Sequence, residues 1–302
     1  AKPMEGAIPR VPAKHILSPY QKNGWFGSGY TMNLYRGCCH GCIYCDSRSA
    51  CYGVQDFDTV HAKENALALL EADLRSARRH GVVLTGSMGD PYNPFEPAER
   101  LTHGALNLFC RYGFGAVVLT KSDLVLNDLG LLLRLGEREP VAVMFSITAL
   151  DDELCRQVEP HAPPTSARLA ALRELCAAGV LCGVVLTPIL PFLEDTPGNV
   201  TGIVRAAARA GAAYCYVGGP GDFGVTQRTG QREYFHAELA RRFPGMETRY
   251  KRAFGSKYFC ASPRALELQA AFEAACREEG LEWRLPRSEG LIKGAEPSQM
   301  TF

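Results

Sequence analysis

The chain has 302 residues, 46% of them apolar, enough to bury one large core, and nothing in its length forces a second domain. Its 33 basic and 32 acidic residues leave a formal charge of +1, which excludes a global field for attracting nucleic acid; a polyanion would need a local basic patch. The twelve cysteines are scattered without the spacing of a disulfide framework, so reduced thiols and a cytoplasmic location are the expectation.

The opening stretch, AKPMEGAIPRVPAKHIL, holds no apolar core of signal length, and no window carries the ~18 uninterrupted apolar residues of a membrane span. It starts on Ala1 rather than Met, so either a processed start or an artificial chain boundary is the expectation. Pro3, Pro9 and Pro12 predict an extended arm over residues 1–29, laid on the surface or across one end of a barrel.

From Tyr30 short β-rich runs alternate with helical ones, the pattern of βα units and a parallel sheet. Strands are expected at 30–34, 82–85, 115–119, 141–147, 183–186 and 213–217. Helices are expected at 64–80, 98–112, 123–135, 166–178 and 199–210, where apolar residues recur at three- and four-residue spacing. Gly81, Gly113, Gly179 and Gly211 each follow such a helix, where a left-handed cap needs no Cβ. In the loop 159–164, EPHAPP, Thr165 or Ser166 is placed to cap the next helix. After Val217 a Gly-rich polar run precedes helices at 233–242 and 264–279, a region suited to closing the open side of a partial barrel; Tyr216, Arg228, Tyr234 and Tyr258 make it a candidate substrate lid. The tail 281–302 lacks periodicity and is expected to dock locally or be loosely ordered. The division expected is thus arm 1–29, α/β barrel 30–217 and C-terminal helical extension 218–302.

Residues 35–49 read YRGCCHGCIYCDSRS, which places Cys38, Cys42 and Cys45 at a Cys-x3-Cys-x2-Cys spacing. Thiolates select zinc, copper(I) or iron–sulfur clusters. With Cys39 or His40 as a fourth ligand the loop would be a structural zinc knot, although no second Cys/His pair follows at zinc-finger distance. Three ligands alone leave one iron of a [4Fe–4S] cluster open to another molecule.

The loop, with Tyr44 just before its last cysteine, resembles the signature of the radical S-adenosylmethionine (radical SAM) superfamily. MNLYRGCCHGCIYCDSRS, GSMGDPYNPFE at 86–96, LTKSDLVLND at 119–128 and EPHAPP together resemble its spore photoproduct lyase-like (DNA repair photolyase-like) subgroup over roughly residues 25–280. The resemblance implies an α/β partial (β/α)6 barrel and a [4Fe–4S] cluster on Cys38, Cys42 and Cys45 whose open iron chelates SAM. It further implies an external one-electron reductant such as flavodoxin or ferredoxin, and reductive cleavage of SAM to a 5′-deoxyadenosyl radical. Ser87, Lys121 and Ser146 fall where the subgroup contacts SAM, Lys121 on its carboxylate, and Tyr44 and Pro188 fall where adenine is held. Arg36, His40, Asp46 and Arg48 are expected to orient the loop and tune the cluster.

Chemistry in parallel barrels sits beyond the strands' C-terminal ends, where Asp90 is placed to accept from an ammonium or hydroxyl group. Spore photoproduct lyase, in the family picture, returns a hydrogen atom from a cysteine near the end of its second strand. Here that stretch, 84–90, reads LTGSMGD, without a cysteine. Tyr92, Cys215 and Cys260 are candidate replacements, but a reaction other than that lyase's is the expectation. Three functions are carried forward: a radical SAM enzyme acting on nucleic acid, one acting on a peptide or small metabolite, and a non-catalytic zinc- or cluster-binding protein.

Overall fold

The computed structural model describes residues 8–20, 27–217 and 223–283; the expectations for the start of the arm and for the tail beyond 283 lie outside these. In chain order, β1 (Arg10–Val11) and β2 (Leu17–Pro19) precede β3 (Tyr30–Met32), β4 (Tyr35–Arg36) and β5 (His61–Lys63). Then come α1 (Ala66–Ser76), β6 (Val82–Thr85), α2 (Glu96–Glu99), α3 (Leu101–Tyr112), β7 (Gly115–Thr120), α4 (Leu129–Gly136) and β8 (Val141–Ser146). They are followed by α5 (Asp152–Val158), α6 (Thr165–Ala178), β9 (Cys182–Val185), α7 (Pro197–Arg209) and β10 (Tyr214–Tyr216). The C-terminal part adds β11 (Gly224–Thr226), α8 (Gln231–Arg242), α9 (Met246–Phe254), β12 (Phe259–Ala261) and α10 (Ala265–Glu279).

The main sheet has the order β10-β9-β8-β7-β6-β3-β2. Its six expected strands, β3 and β6 to β10, are parallel, and each is added beside its predecessor in the chain. With every crossover advancing the same way, the helices fall on one face and the sheet curves as a partial barrel. Both faces are buried, so the runs VVLT, GAVVLT and VAVMFS read as continuous apolar text rather than as alternation. Val83, Val118, Val143, Phe145 and Val184 face the helices, while Val82, Leu84, Val117, Ala142, Met144 and Val185 form a separate inner cluster.

Both edges of this sheet are covered. The arm supplies β2, which pairs antiparallel with β3, so part of the expected surface arm is an edge strand. At the other edge Glu282 bridges Tyr214, its backbone bonded to Ala213 and Cys215. Edge pairing of this kind withholds backbone donors from other chains.

Three helix expectations change. The helix from 64 ends at Ser76, Ala77 being extended, so Gly81 caps nothing; Gly113, Gly179 and Gly211 do take positive φ. The helix expected at 98–112 breaks at Arg100, at φ 52°, and that expected at 123–135 begins as a 3-10 turn over Asp123–Asp128. Neither Thr165 nor Ser166 caps α6: Pro164 holds the cap position, the Thr165 hydroxyl donates to Ala149 O at 2.6 Å, and Ser166 is held by Asp152. Helices α5 and α9 and the antiparallel pair β11–β12 were not expected. Helix α5 is only seven residues long, and α9, METRYKRAF, is largely polar, with a single stripe of Met246, Tyr250 and Phe254 that packs into the second apolar cluster.

Gly86, just beyond β6, has φ +97°, and a Cβ there would lie 1.9 Å from Leu119 O. No side chain fits between these adjacent strand ends. Gly86→Ala is expected to lower the free energy of unfolding by ~2 kcal/mol or more. Gly130→Ala, in α4 with open space around its Cβ, should lie within about 1 kcal/mol of neutral, on the stabilising side. Urea denaturation of both variants checks the contrast; equal midpoints would refute the close-approach argument.

Candidate active site

The loop after β4 is held by backbone bonds from several directions. Cys38 N donates to Phe57 O at 2.8 Å, Ile43 N to Val158 O at 3.0 Å, and His161 N to His40 O at 3.0 Å. From α8, Gln231 Nε2 donates to Tyr44 O at 3.2 Å. Ile43 and Tyr44 are buried in a second core with Val158, Leu190, Val225, Phe235 and Tyr250, so the C-terminal extension packs the loop's own apolar residues.

A cavity of about 620 Å³ opens between this loop and the C-terminal ends of the strands. It brings together Cys38, Cys42, Cys45, Tyr44, Ser87, Asp90, Lys121, Ser146 and Pro188. Leu84, Leu119 and Val185 reach it from the inner cluster, and Thr226 and Phe259 from the extension. It does not include Tyr92 or Cys215. Tyr92 is buried with its hydroxyl donating to Asp128 at 2.9 Å, and Cys215 lies in the main core under α10. Cys260 sits in the second core and is likewise absent from the cavity wall.

Asp90 lines the cavity, but its carboxylate accepts from Tyr92 N at 2.9 Å, the Thr120 hydroxyl at 2.6 Å and Lys121 N at 2.7 Å. It thereby ties the loop after β6 to the end of β7. Ser87 is exposed at the rim, 3.5 Å from the Thr31 hydroxyl, and Ser146 is buried. Buried Thr187 Oγ1, beside Pro188, has no hydrogen-bond partner among the described residues and borders the same cavity.

The residue that sequence reading undervalued is Glu159, 1% exposed at the end of α5. Its carboxylate accepts from the Tyr44 hydroxyl and from the Arg168 guanidinium, and lies 3.8 Å from Lys121 Nζ. Arg168 is 0% exposed and also donates to Ser146 O and Pro163 O, each at 2.8 Å. One ion pair thus joins the cysteine loop, the end of β7, the end of β8 and α6. Burial alone would raise the Glu159 pKa, but Arg168 and Lys121 outweigh it and hold the carboxyl below the usual range. Burial would likewise lower Lys121; the facing Cys42 and Glu159 keep its ammonium charged instead. Arg168 left a usable signal in the sequence, a cation in the LCAA-rich helix 165–178 with no acidic neighbour on its own face.

Cys38, Cys42 and Cys45 border one cavity, and thiols are the donor type that a cluster would use. Burial pushes the Cys38 thiol up to about 12, with Cys45 adding to it, and raises Cys42 and Cys45 as well. Thiolates in so dry a wall need a bound cationic centre to hold them ionised. Thiols spaced around one hollow suit a cluster that takes each on a different iron. Of the flanking residues, His40 lines the cavity 3.7 Å from Asp90, and Arg48 pairs with Asp58 and stacks on Tyr234, 3.9 Å from the ring centroid. Asp46 accepts from the Thr226 hydroxyl at 2.9 Å and meets Arg228 at 3.2 Å. Of the candidate lid residues, Arg228 lies between Tyr52 and Tyr258 beside the cavity rim, whereas Tyr234 sits under Arg48, off the cavity.

A family model described as the radical SAM superfamily matches residues 32–204, more than half of the chain. An uncharacterized protein of Mycobacterium tuberculosis is 36% identical over 233 residues, 74% of this chain and 67% of that protein. Among solved structures, spore photoproduct lyase complexed with dinucleoside spore photoproduct has a TM-score of 0.63 at 16% identity, covering 89% of this chain and 79% of that one. A double mutant of that lyase with bound AdoMet and the same dinucleoside gives 0.62 at 17% identity, covering 83% and 74%. The chain belongs to the radical SAM superfamily. At these identities the likeness to spore photoproduct lyase is one of fold.

Glu194 supplies a test of how dry the wall behind the cavity is. It is fully buried beneath Thr148, whose hydroxyl donates to it at 2.8 Å, and burial raises its pKa to about 8. The folded chain therefore keeps a proton that the unfolded chain releases near the ordinary carboxylate value, so native stability falls as pH rises between the two. Glu194→Gln removes that loss and should gain on the wild type by at most ~1.4 kcal/mol per pH unit across the window from about 4.5 to 8. A stability difference independent of pH, by denaturant titration at pH 5, 6, 7 and 8, would contradict the assignment.

Proposed function

We propose that this protein is a radical SAM enzyme that holds a [4Fe–4S] cluster on Cys38, Cys42 and Cys45 and SAM in the adjoining cavity. The observation that carries the reading is the placement of these three cysteines in one wall with Lys121, Ser146 and Pro188 from three successive strand ends. When bound, the cluster supplies the electron that cleaves SAM to methionine and a 5′-deoxyadenosyl radical.

The chain's own residues bind, orient and exclude water. Lys121 carries the charge for the SAM carboxylate, its ammonium kept in place by Glu159. Tyr44 and Pro188 offer apolar surface for adenine, and Ser87, Ser146 and Thr187 offer hydroxyls for the ribose and methionine ends. Asp90 acts by fixing the Lys121 backbone. A one-electron reductant is external.

The reaction on substrate is read as different from that of spore photoproduct lyase. The stretch 84–90 has no cysteine, and Cys38, Cys42 and Cys45, all assigned to the cluster, are the cavity's cysteines among the described residues. Tyr92, Cys215 and Cys260 stand outside it, which supports a reaction that does not use them as hydrogen-atom donors. The substrate class is left to a screen for substrate-dependent 5′-deoxyadenosine after anaerobic reconstitution. Conversion of authentic spore photoproduct dinucleotide to two thymines over many turnovers would defeat this part of the reading.

Alanine at Cys38, Cys42 or Cys45 should abolish the brown chromophore and lower bound iron and sulfide, while Cys39→Ala and Cys51→Ala retain them. Loss of the cluster from Cys39→Ala with retention in Cys42→Ala would overturn the ligand set. Lys121→Ala should leave iron content unchanged and weaken SAM binding by about 1–3 kcal/mol, as for a hydrogen bond to a charged group. Unaltered SAM affinity in equilibrium dialysis would remove Lys121 from the site.

A further inference from the structure

The cysteine loop walls one side of the 620 Å³ cavity, its Cys39 and Gly41 turned to a separate groove of about 540 Å³ behind it. Another part of the wall is β11, whose Gly224, Val225 and Thr226 all border the cavity. A strand met by its face shows alternate residues; three in succession mark a strand met along its edge.

The hydrogen-bond register says what that edge offers. Strand β11 pairs antiparallel with β12, Gly224 opposite Ala261, Val225 opposite Cys260 and Thr226 opposite Phe259. Ser262 N donates to Phe223 O at 2.7 Å and Gln227 N to Tyr258 O at 2.6 Å. In an antiparallel pair the bonded residues alternate, so 223, 225 and 227 turn their backbone groups to β12 while Gly224 and Thr226 turn theirs the other way. Among the described residues the sheet stops at these two strands, and the N–H and C=O of Gly224 and of Thr226 have no hydrogen-bond partner. The Thr226 hydroxyl is engaged on Asp46, which leaves its backbone free. Gly224 is buried and carries no side chain to screen its own groups. Two donors and two acceptors, two residues apart, thus stand unmet in a cavity wall, where an unmade hydrogen bond costs free energy.

We propose that this edge binds the substrate, and that the substrate is an extended peptide segment. The inference rests on the radical SAM reading above. A cavity of 620 Å³ is a cleft for one ligand of SAM's size, so the substrate lies along the wall and puts little of itself inside. Strand β11 leads from buried Gly224 through half-buried Thr226 to Arg228 at the rim, a path from the interior to the mouth. An extended peptide presents N–H and C=O on one side at every second residue, which matches Gly224 and Thr226 and adds a third strand to β11–β12. At the rim the exposed rings of Tyr52 and Tyr258 flank Arg228 and offer apolar faces to the peptide's next side chains. The edge of an adenine base pairs one donor and one acceptor, enough for one of the two residues and not for both. Nucleic acid would need free cations for its phosphates, and here Arg228 meets Asp46 at 3.2 Å and Arg48 is paired with Asp58.

The test uses the reconstituted holoenzyme with SAM and two probes, a randomised pool of capped hexapeptides and a pool of single-stranded oligonucleotides. The peptide pool should raise 5′-deoxyadenosine formation above the rate with SAM alone, and the oligonucleotides should not. Thr226→Pro removes the edge-facing N–H and keeps the bonds to β12, so the peptide concentration for half-stimulation should rise ~10-fold or more, as for a hydrogen bond lost with its partner left unmet. Thr226→Val, which keeps the N–H and lacks the hydroxyl, should shift it by less than ~3-fold. A backbone N-methylated peptide pool should fail to stimulate the wild type, a readout that stands even where Thr226→Pro does not fold. Equal shifts in the two variants, or full stimulation by the N-methylated pool, overturns the edge as the binding site. Weaker SAM binding by Thr226→Pro with no peptide present, in equilibrium dialysis, assigns the edge to adenine and overturns the proposal. Stimulation by oligonucleotides alone, or by neither pool while dithionite-driven SAM cleavage persists, overturns the substrate class and leaves the cluster standing. Absence of iron and of dithionite-driven cleavage in the wild type overturns the cluster reading and this proposal with it.

Discussion

A carboxylate taken out of water must be matched by charge and hydrogen bonds, and Glu159 is matched by groups from three separate elements around the candidate site. Its partners are Arg168 on α6, Lys121 after β7 and Tyr44 inside the cysteine loop. Removing one partner from a buried pair typically costs ~3–5 kcal/mol, because the remaining charge is left without compensation. That penalty makes the relative placement of loop, strand end and helix close to all-or-none. Arg168 extends the constraint by donating to Ser146 O, so the end of β8 is fixed by the same pair. Positional precision at the cavity thus comes from a buried ion pair in which two cavity residues, Tyr44 and Lys121, take part.

The sheet supplies the frame on which that pair is built. Six parallel strands wound in chain order bury apolar residues on both faces, and their carboxyl ends converge on one side. The loop after β4 would be an irregular polar turn without support, yet Ile43 and Tyr44 enter a core formed with α8, α9 and β11–β12. The C-terminal extension therefore completes the site twice: it packs the loop from behind and contributes Thr226 and Phe259 to the cavity wall.

The sequence by itself determined the six parallel strands, for a physical reason, and its motifs carried the resemblance to the superfamily to which the chain belongs. Strands buried on both faces leave unbroken apolar runs, and thiols proposed to share one group lie within a few residues of each other. The strand ends also told where Ser87, Lys121, Ser146 and Pro188 would meet, because a parallel sheet places successive strand ends side by side. What only the tertiary structure decided are relations between residues far apart in the chain. Glu159 and Tyr44 stand 115 positions apart. Asp90, read as a free acceptor, is occupied by the backbone of β7's end, 31 positions on. Tyr92 and Cys215 carry plausible chemistry in the text but point into cores, since which side of a strand or loop faces the cavity depends on packing that no local pattern records. The same holds for the alternation of Cys38, Cys39, His40, Gly41 and Cys42 between two hollows: spacing shows the cysteines to be near one another, and only the folded loop assigns each residue to a side.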